Sequence, residues 1–189
     1  MAWIVAGLAL WWGAHLFGRL APGARARLGD PGKGLVALAV VAAIVLMVIG
    51  YGGSDALGVA GAEMVNLWFP PAFLTHLNNL LMLLAVYLFA ASALKTRLTR
   101  VIRHPQLIGF KTWAVGHLLV NGDLASLVLF GGLLAWAVVA VILLNRAGPR
   151  PAPNPPAALG REIGAVAGTL VGFGAISLVH VWLGVWPFG

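Results

Sequence analysis

The stretch LVALAVVAAIVLMVIGY, residues 35–51, holds no charge, and its only polar side-chain atom is the phenol oxygen of Tyr51. Ahead of that hydroxyl no side chain can bind water, and in lipid the backbone must satisfy itself. In hydrocarbon only a helix does that within a single segment. About 20 apolar residues cross a bilayer, and this run is close to that length. Five further apolar stretches surround it, at about 2–18, 72–94, 106–120, 124–144 and 162–186. The pair Pro70-Pro71 precedes the third stretch, and the turn Asn121-Gly122-Asp123 separates the fourth from the fifth. The expected fold is all-α, a polytopic transmembrane bundle of about six helices, forming one domain over residues 1–189 with the lipid bilayer as its solvent. A segment at 147–160 carries Pro149, Pro151, Pro153, Pro155 and Pro156. It cannot be helical throughout and is expected to be extended and solvated.

Composition points the same way. The 189 residues are 61% hydrophobic and only 9% charged. Soluble domains carry about a quarter charged residues, so this chain lacks the polar shell of a soluble globule. The net charge of +7 does not imply nucleic acid. The basic residues sit in short clusters between apolar runs, which is a membrane-topology pattern. No cysteine is present, which excludes disulfides, thiolate ligands and cysteine nucleophiles. The first stretch lacks a basic leader and a small-residue cleavage site, so it is expected to remain as a helix.

The charges also set an orientation. Arg19, Arg25, Arg27 and Lys33 lie between the first two stretches. Lys95, Arg97, Arg100 and Arg103 lie between the third and fourth, and Arg146, Arg150 and Arg161 between the fifth and sixth. The other two connections hold only Asp55, Glu63 and Asp123. Eleven of the twelve basic residues therefore share one side. That side is expected to be cytoplasmic, with both termini periplasmic. Helical spans, unlike barrel strands, place such a chain in the inner membrane as a multi-pass protein. Gly160, Gly164, Gly168 and Gly172 recur at a spacing that lets helix backbones approach in lipid. Tight packing within the bundle is expected there, with a homodimer seam as the alternative.

Polar groups in a membrane demand a reason. Five histidines are present, at 15, 76, 104, 117 and 180, all in or at the ends of the apolar stretches. Histidine is the usual nitrogen ligand for haem iron and other transition metals. The topology puts His15 and His104 near the inner face, and His76, His117 and His180 near the outer one. Asn79 shares a helix face with His76. Trp11 precedes His15 by one turn, and Trp113 precedes His117 likewise, which suits a flat macrocycle. Lys111, inside the fourth stretch, either snorkels or neutralises a carboxylate such as a haem propionate. Hydrolytic chemistry has no support. Gly-x-Ser-x-Gly and a phosphate-cradling glycine loop are absent, and the five acids form no evident pair.

Arg103-His104-Pro105-Gln106, Gly109 and the run Trp113-Ala114-Val115-Gly116-His117 through Asn121-Gly122-Asp123 closely resemble the NnrU family. His15 with Arg19, the run His76 to Leu83, and the ending from His180 to Pro187-Phe188 also fit. The resemblance implies a membrane protein linked by name to nitrite and nitric oxide reduction and related to 15-cis-ζ-carotene isomerase. That isomerase holds haem b between two histidines, which implies His15 and His117 as axial ligands here. The cysteine that replaces one histidine on oxidation in that enzyme corresponds to Ala114, so the same ligand switch is absent. Depth alone favours His76 with His117. Helix four places His117 about 17 Å from Gln106, whereas His15 lies about 6 Å from Arg19.

Three functions follow as expectations. The first is a haem-b protein with isomerase-like or redox chemistry, acting on a polyene. The second is an S-adenosylmethionine-dependent methyltransferase, because Arg103-His104-Pro105 with Gly109 resembles a segment of such membrane enzymes. The third is a non-enzymatic accessory factor for a respiratory reductase.

Overall fold

The computed structural model describes residues 1–150, 152 and 155–188. Among these residues the regular elements are helices, accompanied by isolated β-bridges. The chain is an all-α membrane helix bundle. Four helices, Pro31–Gly52, Phe73–Ala93, Leu124–Arg146 and Leu159–Trp182, are long and apolar enough to cross a bilayer. The other two expected stretches are also helical, at Ala2–Leu20 and Pro105–Val120. The chain divides into two compact units, residues 1–68 with 122–136, and residues 69–121 with 137–189.

The first unit contains α1 (Ala2–Leu20), a short α2 (Pro22–Arg27) and α3 (Pro31–Gly52). Two glycines let α1 and α3 meet backbone to backbone. A Cβ on Gly7 would lie 2.8 Å from the carbonyl oxygen of Ala43, and one on Gly50 would lie 2.7 Å from the amide nitrogen of Ile4. These pairings run in opposite directions, so the helices are antiparallel. Ile4, Leu8, Ala43 and Met47 are buried along the seam, while Leu38, Val41, Ile44, Val45 and Val48 are exposed. That exposed apolar face has lipid as its natural solvent.

At the basic end of this unit, Arg25 folds back and donates to the Gly29 carbonyl at 2.9 Å. At the other end the chain forms a 3-10 turn at Asp55–Leu57. It then reaches the start of α7 (Leu124–Arg146). The Leu67 and Trp68 amides both donate to the Gly122 carbonyl, and the Leu124 amide donates to the Val65 carbonyl. Asp123 is buried and caps α7, accepting from the Ser126 amide at 2.8 Å and the Ser126 hydroxyl at 2.7 Å. The Tyr51 hydroxyl lies 2.8 Å from the same serine oxygen.

The second unit contains α4 (Phe73–Ala93), a short α5 (Leu98–Val101), α6 (Pro105–Val120), the later part of α7 and α8 (Leu159–Trp182). Pro105 is the first residue of α6, where its missing N–H costs nothing. Gly109 and Gly116 fit α6 against α4. A Cβ on Gly109 would come within 2.9 Å of the Ala85 carbonyl oxygen, and one on Gly116 within 2.6 Å of Asn78 Oδ1.

Side chains and backbone tie the basic end of this unit together. Arg103 donates to the Gly148 carbonyl at 2.8 Å, and Arg150 to the Arg100 carbonyl at 2.6 Å. The Arg97 amide donates to Glu162 at 2.7 Å. The two basic connections of this unit thus share one end, as the charge pattern requires.

Two details differ from the sequence reading. The glycine stripe of α8 does not mark a close backbone approach. Gly160 and Gly168 have nothing within 4 Å, while Gly164 and Gly172 meet only side-chain ends, of Leu94 and Val86, at 3.3 Å. Spacing alone does not say which way a small residue faces. Secondly, α8 begins at Leu159 and ends at Trp182 rather than running over 162–186. Gly184 has φ +79 and stops it. The Gly184 amide donates to the Val181 carbonyl and the Val185 amide to the His180 carbonyl, a Schellman motif that reverses the chain. Of the proline-rich segment, Pro151 and Pro153 lie outside the described residues.

Candidate functional site

The second unit contains a cavity of about 360 Å³. Its walls include Met82, Phe89, Phe110, Trp113, Phe173 and Trp186, and its polar lining is Asn78, Asn79, His117, Asn121, Ser177 and His180. α6 supplies Phe110, Trp113 and His117 at spacings of three and four, which set them along one face. The Phe110 and Trp113 rings are 5.2 Å apart, and Trp113 meets the His117 imidazole at 5.1 Å and 72°. Asn121 ends the helix by donating from its amide and its Nδ2 to the His117 carbonyl, at 3.0 and 2.8 Å.

α8 brings His180 to the same cavity. Its imidazole lies 6.4 Å from that of His117, with an interplanar angle of 12°. His180 Nδ1 is 2.8 Å from the Ile176 carbonyl. A carbonyl only accepts, so Nδ1 is the donor, and the neutral ring keeps its lone pair on Nε2. After the Schellman turn the tail folds back. Phe188 reaches Phe173 at 6.1 Å and Trp186 at 5.5 Å. Asn78 is buried, and its Oδ1 has no hydrogen-bond partner among the described residues.

The structure gathers some of the expected residues and separates others. Trp113 and His117 come together, as their spacing requires. His15 belongs to the first unit, half-buried between Trp11 at 4.1 Å and Trp136 at 4.7 Å. Its Nδ1 donates to the Trp11 carbonyl at 3.0 Å, which again leaves Nε2 as the lone-pair nitrogen. His76 is exposed on α4 and does not line the cavity, although Asn79 does. Lys111 is half-buried on α6, also outside the lining. Arg103 and His104 are engaged elsewhere. Arg103 binds carbonyls, and His104 Nε2 lies 3.1 Å from Asn145 Oδ1. Those contacts give the Arg-His-Pro segment a structural use.

The sequence reading did not single out His180 as a partner for His117, nor Asn78 as a cavity residue. The shared outer depth of His117 and His180 was the available signal for the first. Nothing in sequence distinguishes Asn78 from any other intramembrane amide.

The model of a family described as NnrU protein matches residues 3–187. The chain belongs to the NnrU family. No curated protein and no solved structure matches it. The match covers both units, so the cavity and the first-unit histidine alike lie within the NnrU region.

Proposed function

We propose that this NnrU-family protein holds a haem b through His117 and serves an isomerase-like or redox reaction in the inner membrane. One histidine against flat aromatic rings carries the reading: His117 lines the cavity, with Trp113 against its imidazole and Phe110 next to Trp113. Haem brings four nitrogens of its own and asks the protein only for axial ligands. Imidazoles beside flat aromatic walls fit that need.

When bound, haem would supply a redox-active iron and a flat conjugated surface. The rest falls to the chain. His117 would ligate, with Trp113 and Phe110 packed beside it. Asn121 holds the end of α6 so that the imidazole stays in place. Trp186 and Phe188 line the cavity from the chain's folded-back tail. Ala114 is fully buried and has no ligating atom, so a histidine-to-sulfur exchange has no donor here. The apolar walls suit an unsaturated hydrocarbon substrate.

Purification in mild detergent with haem added during expression tests this. A Soret band with split bands on reduction is expected, weakened or lost in His117→Ala. A colourless wild type rules the reading out.

A further inference from the structure

We infer that the cavity of the second unit takes an uncharged lipid whose ring bears hydroxyl groups, a quinol in chemical class, with its head beside Asn78, Asn121 and His180. The inference deepens the reading above by naming the substrate class of the same cavity, and it rests on that reading for what the lipid is used for. Binding itself needs no haem.

Polarity along the cavity is the first observation. α4 packs against α6 and against α8, and all three helices line the space. Asn78, Asn79, Asn121, Ser177 and His180 lie within about 9 Å of the helix ends opposite the basic connections. Phe89, Phe110 and Phe173 lie about 14–24 Å from those ends. The cavity is thus polar at one end and aromatic deeper, which matches a lipid with a compact head and an apolar tail. Its volume of about 360 Å³ falls within the range of small-molecule sites.

Charge is the second observation. Among the described residues the lining holds no Lys, Arg, Asp or Glu. A carboxylate or phosphate head would lose its water there and find no opposite charge. The head that fits is neutral.

The third observation is that the lining is left with acceptors. Asn78 is 6% exposed, and its Oδ1 has no hydrogen-bond partner among the described residues. His180 Nδ1 is committed to the Ile176 carbonyl, so Nε2 keeps a lone pair. Asn121 Nδ2 donates to the His117 carbonyl, and its amide oxygen can only accept. Unmatched acceptors are costly away from water, and an occupant that brings O–H groups supplies the match. Phe110, Trp113 and Trp186 in the same walls give a flat ring its partners.

The test equilibrates radiolabelled decylhydroquinone, without oxygen, with the protein in detergent and counts ligand bound above protein-free micelles. Saturable binding is expected. Unlabelled decylhydroquinone should displace the label, while its dimethyl ether and decylbenzoquinone, which carry no O–H, should need about tenfold more. Binding should weaken by about the same factor in Asn78→Leu and in His180→Phe, and hold in His76→Leu, which lies outside the lining. Equal displacement by the ether would remove the hydroxyl from the argument and overturn the inference, and this arm needs no variant to fold. Stronger displacement by decanoate would overturn the neutral head. No saturable binding would overturn the inference outright. Running each arm beside the absorption spectrum separates the two readings. Protein that binds the quinol but never takes up haem sinks the haem reading alone, and haem-loaded protein that binds no quinol sinks this one alone.

Discussion

Asp123 grips Ser126 twice, through the amide nitrogen at 2.8 Å and through the hydroxyl at 2.7 Å. Ser126 is fully buried and also meets the Tyr51 hydroxyl at 2.8 Å. The carboxylate thus caps α7, and the serine ties that cap to the end of α3. Loss of such a cap costs about 0.5–2 kcal/mol. In a chain of this size, about 1 kcal/mol shifts the melting temperature by roughly 2–4 °C. Asp123→Ala is expected to melt several degrees below the wild type in detergent, and Asp123→Asn, which keeps one acceptor, less so. Equal melting of all three would show that the cap is not needed.

The glycines divide into two kinds, and alanine scanning should separate them. Gly109→Ala presses a methyl group against the Ala85 carbonyl, backbone that cannot step aside. Overpacking of this kind costs about 1–3 kcal/mol. Gly168→Ala meets open space and gains helix propensity of up to about 1 kcal/mol. Thermal unfolding in detergent should therefore fall for Gly109→Ala and hold or rise for Gly168→Ala. A large loss at Gly168 would point to a helix packed there, such as a second copy of the chain.

Gly184 occupies a backbone conformation that costs other residues about 1–2 kcal/mol. Gly184→Ala is expected to loosen the tail that brings Phe188 to Phe173. The chain has no cysteine, so a single Phe188→Cys reports cleanly. Its alkylation should be faster in the Gly184→Ala background. Equal rates would mean that the turn does not hold the tail.

The same absence of cysteine allows a direct test of orientation. Ala26→Cys and Ala158→Cys lie on the basic connections, while Ala56→Cys and Ala72→Cys lie on the others. In spheroplasts an impermeant maleimide should label positions 56 and 72, and positions 26 and 158 only after permeabilisation. Labelling of all four together would overturn the proposed topology.

Much of the fold was legible because lipid makes a simple demand on sequence. Residues 35–51 had to be helical, and α3 covers them. Arg103 and Arg150 had to share an end, and their carbonyl partners place them so in the second unit. Facing was not legible. Gly160 to Gly172 looked like a seam within the bundle, yet within the chain they meet open space or side-chain ends, whereas Gly7, Gly50 and Gly109 carry the close approaches without a repeating motif. The pairing of His117 with His180 depends on how α6 and α8 are rotated toward one cavity. That is a property of packing, and no local pattern encodes it. The end of α8 was readable in principle, since a glycine two residues past Trp182 is a common stop signal. The apolar residues that follow it hid the stop.

The carbonyl that receives the Val185 amide belongs to His180 itself. The peptide that anchors the final turn is therefore the peptide that carries the imidazole. A bulky affinity handle fused behind Phe188 would pull on that residue through a single hydrogen bond. Preparations tagged there should be compared with ones tagged ahead of α1 before any difference in colour or activity is ascribed to the native molecule.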